Sequence, residues 1–126
     1  MATGGGFKLL IRTKKVWSRR GDDVTLGCHL SPATSAVAME IRWFRWTDCI
    51  YLYRDGHVTV RGEYEDRWGN VINYEGRVSV DPQQLQTGDV SLKLKGFRWE
   101  DVGYYTCQVI SGEHTHEGRV KLNEWV

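Results

Sequence analysis

Apolar and polar residues alternate one for one along most of this chain. Val24, Leu26, Cys28 and Leu30 are interleaved with Thr25, Gly27 and His29, the period-two pattern of a strand with one buried face and one wet face. The spacing recurs at Val90, Leu92 and Leu94, with Phe97 near the next turn, then at Tyr105, Cys107 and Val109, and last at Val120 and Leu122. Helical patterning is hard to find and turn signals come at short intervals, so the chain reads as all-β. Asp55-Gly56 lies between Ile50-Tyr51-Leu52-Tyr53 and Val58-Thr59-Val60, the pair that favours a tight hairpin. Residues 61–75 are polar and turn-rich, and are expected to form a long, mobile connection.

A chain of 126 residues suits one domain, which at this size buries roughly two thirds of its unfolded surface. Residues 7–126 are assigned to that domain. Residues 1–6, Met-Ala-Thr-Gly-Gly-Gly, are expected to be a disordered or expression-derived leader, because they lack the apolar stretch of a secretory signal. The formal net charge is +1, from 17 Lys+Arg against 16 Asp+Glu. That balance supplies no field favouring nucleic acid or an anionic membrane. No apolar run reaches the roughly 18 residues that a membrane-spanning helix needs.

One constellation stands out. Cys28 is followed by Trp43, and the run Asp101-Val102-Gly103-Tyr104-Tyr105-Thr106-Cys107 places a tyrosine two residues before a second cysteine. The four residues, in this order and at this spacing, resemble the core of an immunoglobulin-type β-sandwich, and the extra hairpin at Asp55-Gly56 makes it variable-type (V-set), with about nine strands in Greek-key connection. The resemblance implies a Cys28–Cys107 disulfide clipping two sheets together, with a loop-closure contribution of about 4 to 5 kcal/mol. It also implies Trp43 packed beside the sulfurs and Tyr105 in a tyrosine corner whose hydroxyl bonds back to the backbone. Leu26, Leu92 and Leu94 complete the expected core. A disulfide needs an oxidising compartment, so an exported ectodomain is expected, on the extracellular side of the plasma membrane, with signal and anchor outside this sequence.

Further runs carry a narrower resemblance. Gly21-Asp22-Asp23-Val24-Thr25-Leu26-Gly27-Cys28-His29-Leu30, Glu40-Ile41-Arg42-Trp43-Phe44-Arg45, Leu52-Tyr53-Arg54-Asp55-Gly56 and Tyr74-Glu75-Gly76-Arg77-Val78-Ser79 resemble the variable-type domain of the butyrophilin, myelin oligodendrocyte glycoprotein and costimulatory-ligand family. The match extends from about Lys15 to Leu122. It implies a membrane-anchored, leukocyte-type surface protein that regulates lymphocytes by binding a protein counter-receptor, with no catalytic activity. By position, Arg77 and Asp101 match the pair that forms a salt bridge beneath one end of such domains. The sequence holds no N-x-Ser/Thr glycosylation acceptor, and Trp17, Trp46 and Trp68 fall outside the shared motifs.

Strand parity then selects a surface. With Trp43 inward, Arg42, Phe44 and Trp46 project outward; with Cys107 inward, Tyr104, Thr106, Gln108 and Ile110 do so from the neighbouring strand. Tyr51 or Tyr53 is expected to join them. A contiguous aromatic face with an arginine is typical of interface anchors, although residues 61–75 or the last loop could cover it. The loops at residues 31–39 and 111–118 form the second candidate. Homophilic adhesion through the same face, pairing two copies about a two-fold axis, is the alternative function.

The remaining signals point to weaker readings. Cys49 is left over and is either an interchain cross-link or a half-buried free thiol. His114 and His116 lack a third ligand, so neither a metal nor a cofactor is expected. Arg20-Gly21-Asp22 reads as a turn into a strand rather than an integrin motif. No hydrolase or phosphate-loop signature is present, and an enzyme with a small-molecule substrate is not expected. The last strand lacks the Gly-x-Gly bulge of an antigen-receptor joining segment.

Overall fold

The computed structural model describes residues 6–126; the expected leader therefore lies, apart from Gly6, outside the described residues. The strands are β1 (Lys8–Ile11), β2 (Lys15–Ser18), β3 (Val24–Leu26), β4 (Cys28–Ser31), β5 (Glu40–Arg45), β6 (Asp48–Arg54), β7 (His57–Val60), β8 (Glu63–Glu65), β9 (Val71–Asn73), β10 (Val78–Ser79), β11 (Leu92–Leu94), β12 (Gly103–Ser111) and β13 (His114–Glu124). Six of them form a front sheet in the order β2-β13-β12-β5-β6-β7. The back layer is β10-β11-β3 together with β1-β4. β3 and β4 are one run broken at Gly27, where a Cβ would meet the Cβ of Arg12 at 2.8 Å; glycine there lets β1 approach, and Arg12 N–H donates to the Gly27 carbonyl at 3.0 Å.

The core lies between the two layers, and the alternating residues of both supply it. Val24, Leu26, Cys28, Leu30, Val90, Leu92, Leu94, Phe97, Tyr105, Cys107, Val109, Val120 and Leu122 are all buried. Trp43 is fully buried opposite Cys107 in the β5–β12 register, and its indole N–H donates to the Val90 carbonyl of the back layer at 2.9 Å. One side chain therefore joins the two sheets by both packing and a hydrogen bond. The Tyr105 hydroxyl donates to the Asp101 carbonyl at 2.7 Å, the geometry of a tyrosine corner.

Below this corner Arg77 and Asp101 form a bidentate pair at 3.2 and 2.5 Å, with the Asp101 side chain fully buried. Arg77 also donates to the carbonyls of Asn73, Lys95 and Gly96, and Asp101 accepts from the Arg98 N–H. The pair thus stitches the turn before β10 to the turns on either side of Phe97.

Two expected loops are structured. Residues 61–75 carry the β8–β9 hairpin, which pairs Tyr64 with Ile72 and buries both, along with Tyr74; those three side chains tie the segment to the core. Residues 111–118 are no loop either: β12 and β13 pair from Ser111↔His114 onward around the turn Gly112-Glu113. His116 packs its ring on Phe7 at 4.4 Å rather than lining a loop.

Cys28 and Cys107 are both fully buried in the core. Their side chains are in contact, and in the reduced form burial, and then that contact, pushes the Cys107 thiol well above its ordinary value. We propose that they form the disulfide in the exported protein. Intact mass should then show two hydrogens fewer than three thiols carry, and Cys28→Ala or Cys107→Ala should cost on the order of 2 to 5 kcal/mol; identical melting curves with and without reductant would contradict the bond. Asp101→Ala should destabilise by more than the roughly 0 to 1 kcal/mol of an exposed pair, because it strands a largely desolvated guanidinium. A chemical-denaturation loss inside that surface range would remove Arg77–Asp101 from the stabilising contacts.

Candidate functional site

The outward parity set of the front sheet assembles one surface. Cross-strand registers place Phe44 opposite Thr106, Arg42 opposite Gln108, and Glu40 opposite Ile110. All six are partly exposed. Arg42 pairs with Glu40 on its own strand, and the Gln108 amide donates to Glu117 at 2.9 Å, so the upper half of the face is internally neutralised.

Tyr51 and Tyr53 do not join this face. The β5–β6 register shifts between Trp43 and Phe44, leaving the consecutive residues Ile50 and Tyr51 both buried. After that bulge the alternation resumes with Tyr53 inward, its hydroxyl donating to the Val37 carbonyl at 2.6 Å. Leu52 faces outward instead, opposite Arg42 and Thr59. Tyr53 thereby anchors the segment between β4 and β5, while Cys49 sits opposite Phe44.

The lower half is built around Trp46. It occupies the β5–β6 turn with φ 57°, its N–H donates to the Tyr104 carbonyl at 3.2 Å, and its ring stacks on Tyr104 with centroids 5.7 Å apart and planes 17° apart. Arg67, from the β8–β9 turn, lies 5.1 Å over the Trp46 ring. Arg119 and Lys121 lie 4.5 and 4.8 Å over the Tyr104 ring. Cation–π contacts of this kind contribute about 0.5 to 1 kcal/mol each at exposed sites. Among the described residues, none of these three cations has a carboxylate within ion-pair distance, since the ion pairs are Arg20–Glu124, Arg42–Glu40, Arg77–Asp101 and Lys93–Asp81. Trp46 remains 40% exposed and Trp68, beside it, 66%.

Arg67, Arg119, Lys121 and Leu52 join the face beyond the residues expected from β5 and β12. Parity along β13 carries a signal for Arg119 and Lys121, because Val120 and Leu122 are inward. Arg67 carries no such signal, since its position depends on a hairpin of three-residue strands.

At the opposite pole from the 31–39 segment, Trp17 and Trp125 meet edge-on at 6.2 Å, and Arg20 of the Arg-Gly-Asp tripeptide is bound to Glu124. Among the described residues no group of three His, Cys, Asp or Glu converges as a metal site would require.

The two layers, the pinned tryptophan, the tyrosine corner and the added β6–β7 hairpin define a variable-type immunoglobulin domain. A family model for the immunoglobulin V-set domain matches residues 11–123, and the chain belongs to that family. It is similar to myelin-oligodendrocyte glycoprotein of Callithrix jacchus, at 28% identity over 122 residues, covering 94% of this chain and 46% of the relative. Butyrophilin subfamily 2 member A2 of Mus musculus is 31% identical over 116 residues, covering 92% and 22%. The crystal structure of bovine butyrophilin superposes with a TM-score of 0.77 at 28% identity, covering 94% of this chain and 54% of that one. The human B7-H4 IgV-like domain shares the fold, with a TM-score of 0.73 at 18% identity, covering 94% and 96%. The chain spans about half the length, or less, of the curated relatives it matches.

Cys49 supplies a pH test of the site. Burial raises its thiol above the ordinary value, and its Sγ contacts the Tyr51 carbonyl at 3.4 Å. The thiolate is the reactive form, so a raised pKa means less thiolate at any given pH. Iodoacetamide labelling should therefore lag behind free cysteine at neutral pH and catch up only in alkaline solution. Labelling at neutral pH as fast as free cysteine would contradict the half-buried placement.

Proposed function

We propose that this domain is the extracellular recognition module of a cell-surface, immune-regulatory protein of butyrophilin type, and that it binds a protein counter-receptor through the outer face of its six-stranded sheet. Its likeness to butyrophilins and myelin-oligodendrocyte glycoprotein supports the class. The observation that carries the surface assignment is the Trp46–Tyr104 stack with three unpaired cations around it, continued up the sheet by Phe44 and Ile110. An outer sheet face in contact only with water is usually polar, whereas exposed aromatics and arginine are the residues that dominate interface energetics. Arg42, Thr106 and Gln108 form the polar surround of the same contact.

Affinity and folding should separate. Trp46→Ala and Ile110→Arg should each abolish binding of the domain to counter-receptor-bearing leukocytes, or its self-association, while leaving the melting temperature nearly unchanged, because both side chains lie outside the core. Cell staining and thermal melts of the same preparations read the two effects. Retained binding in both variants would move the site to the end of the domain formed by the segments around Ala36 and His114. Sedimentation across concentration decides whether the partner is a second copy.

A further inference from the structure

Arg45 ends β5 with its side chain pointing inward, and its exposure is only 6%. A guanidinium this buried ordinarily has a carboxylate partner. Here its bonds go to four neutral oxygens: the Tyr74 hydroxyl at 2.8 Å, the Glu100 carbonyl at 3.0 Å, the Tyr105 hydroxyl at 3.4 Å and the Val102 carbonyl at 2.7 Å. Three of these occupy Nη1 and one occupies Nη2. The Nε–H and the second Nη2 proton have no partner among the described residues.

That edge, Nε with Nη2, is the fork that grips a carboxylate bidentately. It lies against Gly103, where a Cβ would come within 2.7 Å of Nε and 3.0 Å of Nη2, so any larger residue would crowd it. Beside it opens a cavity of about 230 Å³ lined by Arg45, Trp46, Trp68, Gly103, Tyr104 and Lys121. Lys121 adds a second cation with no acid within ion-pair distance among the described residues, and the indoles supply apolar walls that would strengthen a charge-assisted bond by excluding water.

We infer that this cavity is a carboxylate-binding site, in which Arg45 holds the ligand's two oxygens through Nε and Nη2, Lys121 adds charge, and Trp46 and Trp68 enclose the carbon stem. The inference deepens the proposed function and rests on it in one respect: the source of the carboxylate is an acidic side chain of the counter-receptor or a free carboxylate.

The test uses the intact domain and follows the Arg45 Nε–H resonance by NMR during titration with sodium acetate, with N-acetyl-glutamate amide, and with the isosteric N-acetyl-glutamine amide. The two acids should shift Arg45 Nε–H saturably and the neutral amide should not. Lys121→Gln should weaken the binding about tenfold, which corresponds to about 1.4 kcal/mol, and Gly103→Ala should abolish it. Should Gly103→Ala fail to fold, Lys121→Gln and the charge dependence still decide. Tighter binding of the glutamate derivative than of acetate assigns the site to a partner's acidic side chain, and equal binding assigns it to a free carboxylate. No shift at Arg45 Nε–H, or an equal shift from the glutamine derivative, would overturn the site. Ile110→Arg, several residues up β12 from the cavity, reports on the sheet face alone. Lost cell binding in that variant together with an unresponsive Arg45 rejects the carboxylate site and keeps the face; a responsive Arg45 with undiminished cell binding rejects the face and keeps the site.

Discussion

Trp43 facing Cys107 across β5 and β12, with its indole N–H bonded to Val90 of the opposite layer, is the contact on which the rest of the domain depends. Because side chains alternate, fixing these two residues inward fixes every neighbour on the two central strands. Arg42 and Phe44 must then face out, as must Thr106, Gln108 and Ile110. A slip of one residue would put the tryptophan in water and the arginine in the core. Folding and the composition of the outer sheet face are therefore set by the same register.

The central strands and the core were legible in the sequence because they alternate over many residues and carry the Cys–Trp–Tyr–Cys constellation. The Asp55-Gly56 hairpin was legible for a local reason, since φ is positive at both residues, which suits aspartate and glycine. The inward turn of Tyr51 and Tyr53 was hidden, because a bulge shifts parity without leaving a mark in composition and tyrosine tolerates both environments. The β8–β9 hairpin was hidden for another reason. Each of its strands has three residues and buries one side chain, too short a run for a period to be visible.

Beneath the outer face of the six-stranded sheet the polar interior forms one connected cluster. The Tyr74 and Tyr105 hydroxyls lie 2.8 Å apart and both approach Arg45, while the Tyr105 hydroxyl also bonds the backbone of Asp101, whose carboxylate holds Arg77. Burial dominates the rise of both tyrosine pKa values, keeping them protonated at any physiological pH. The fixed dipoles of this cluster set the position of Arg45, and Gly103 is the residue that leaves room for it. The surface stack of Trp46, in the β5–β6 turn, on Tyr104 of β12 is thus backed by a hydrogen-bonded base, and presents its aromatic area at low entropic cost.

On the proposed function, the outer face of the six-stranded sheet is the recognition surface and the opposite layer is not. Installing a glycan on each layer tests it most directly. Glu117→Asn with Arg119→Thr creates an acceptor on exposed front-face positions of β13, and Lys93→Asn with Lys95→Thr creates one on and just past β11, at exposed positions on the outside of the back layer. Fluorescent oligomers of the two glycosylated domains, both folded by thermal melt, are then compared for binding to leukocytes. The β13 glycan should eliminate binding and the β11 glycan should leave it intact. Binding that survives the β13 glycan, or is lost only with the β11 glycan, would contradict it.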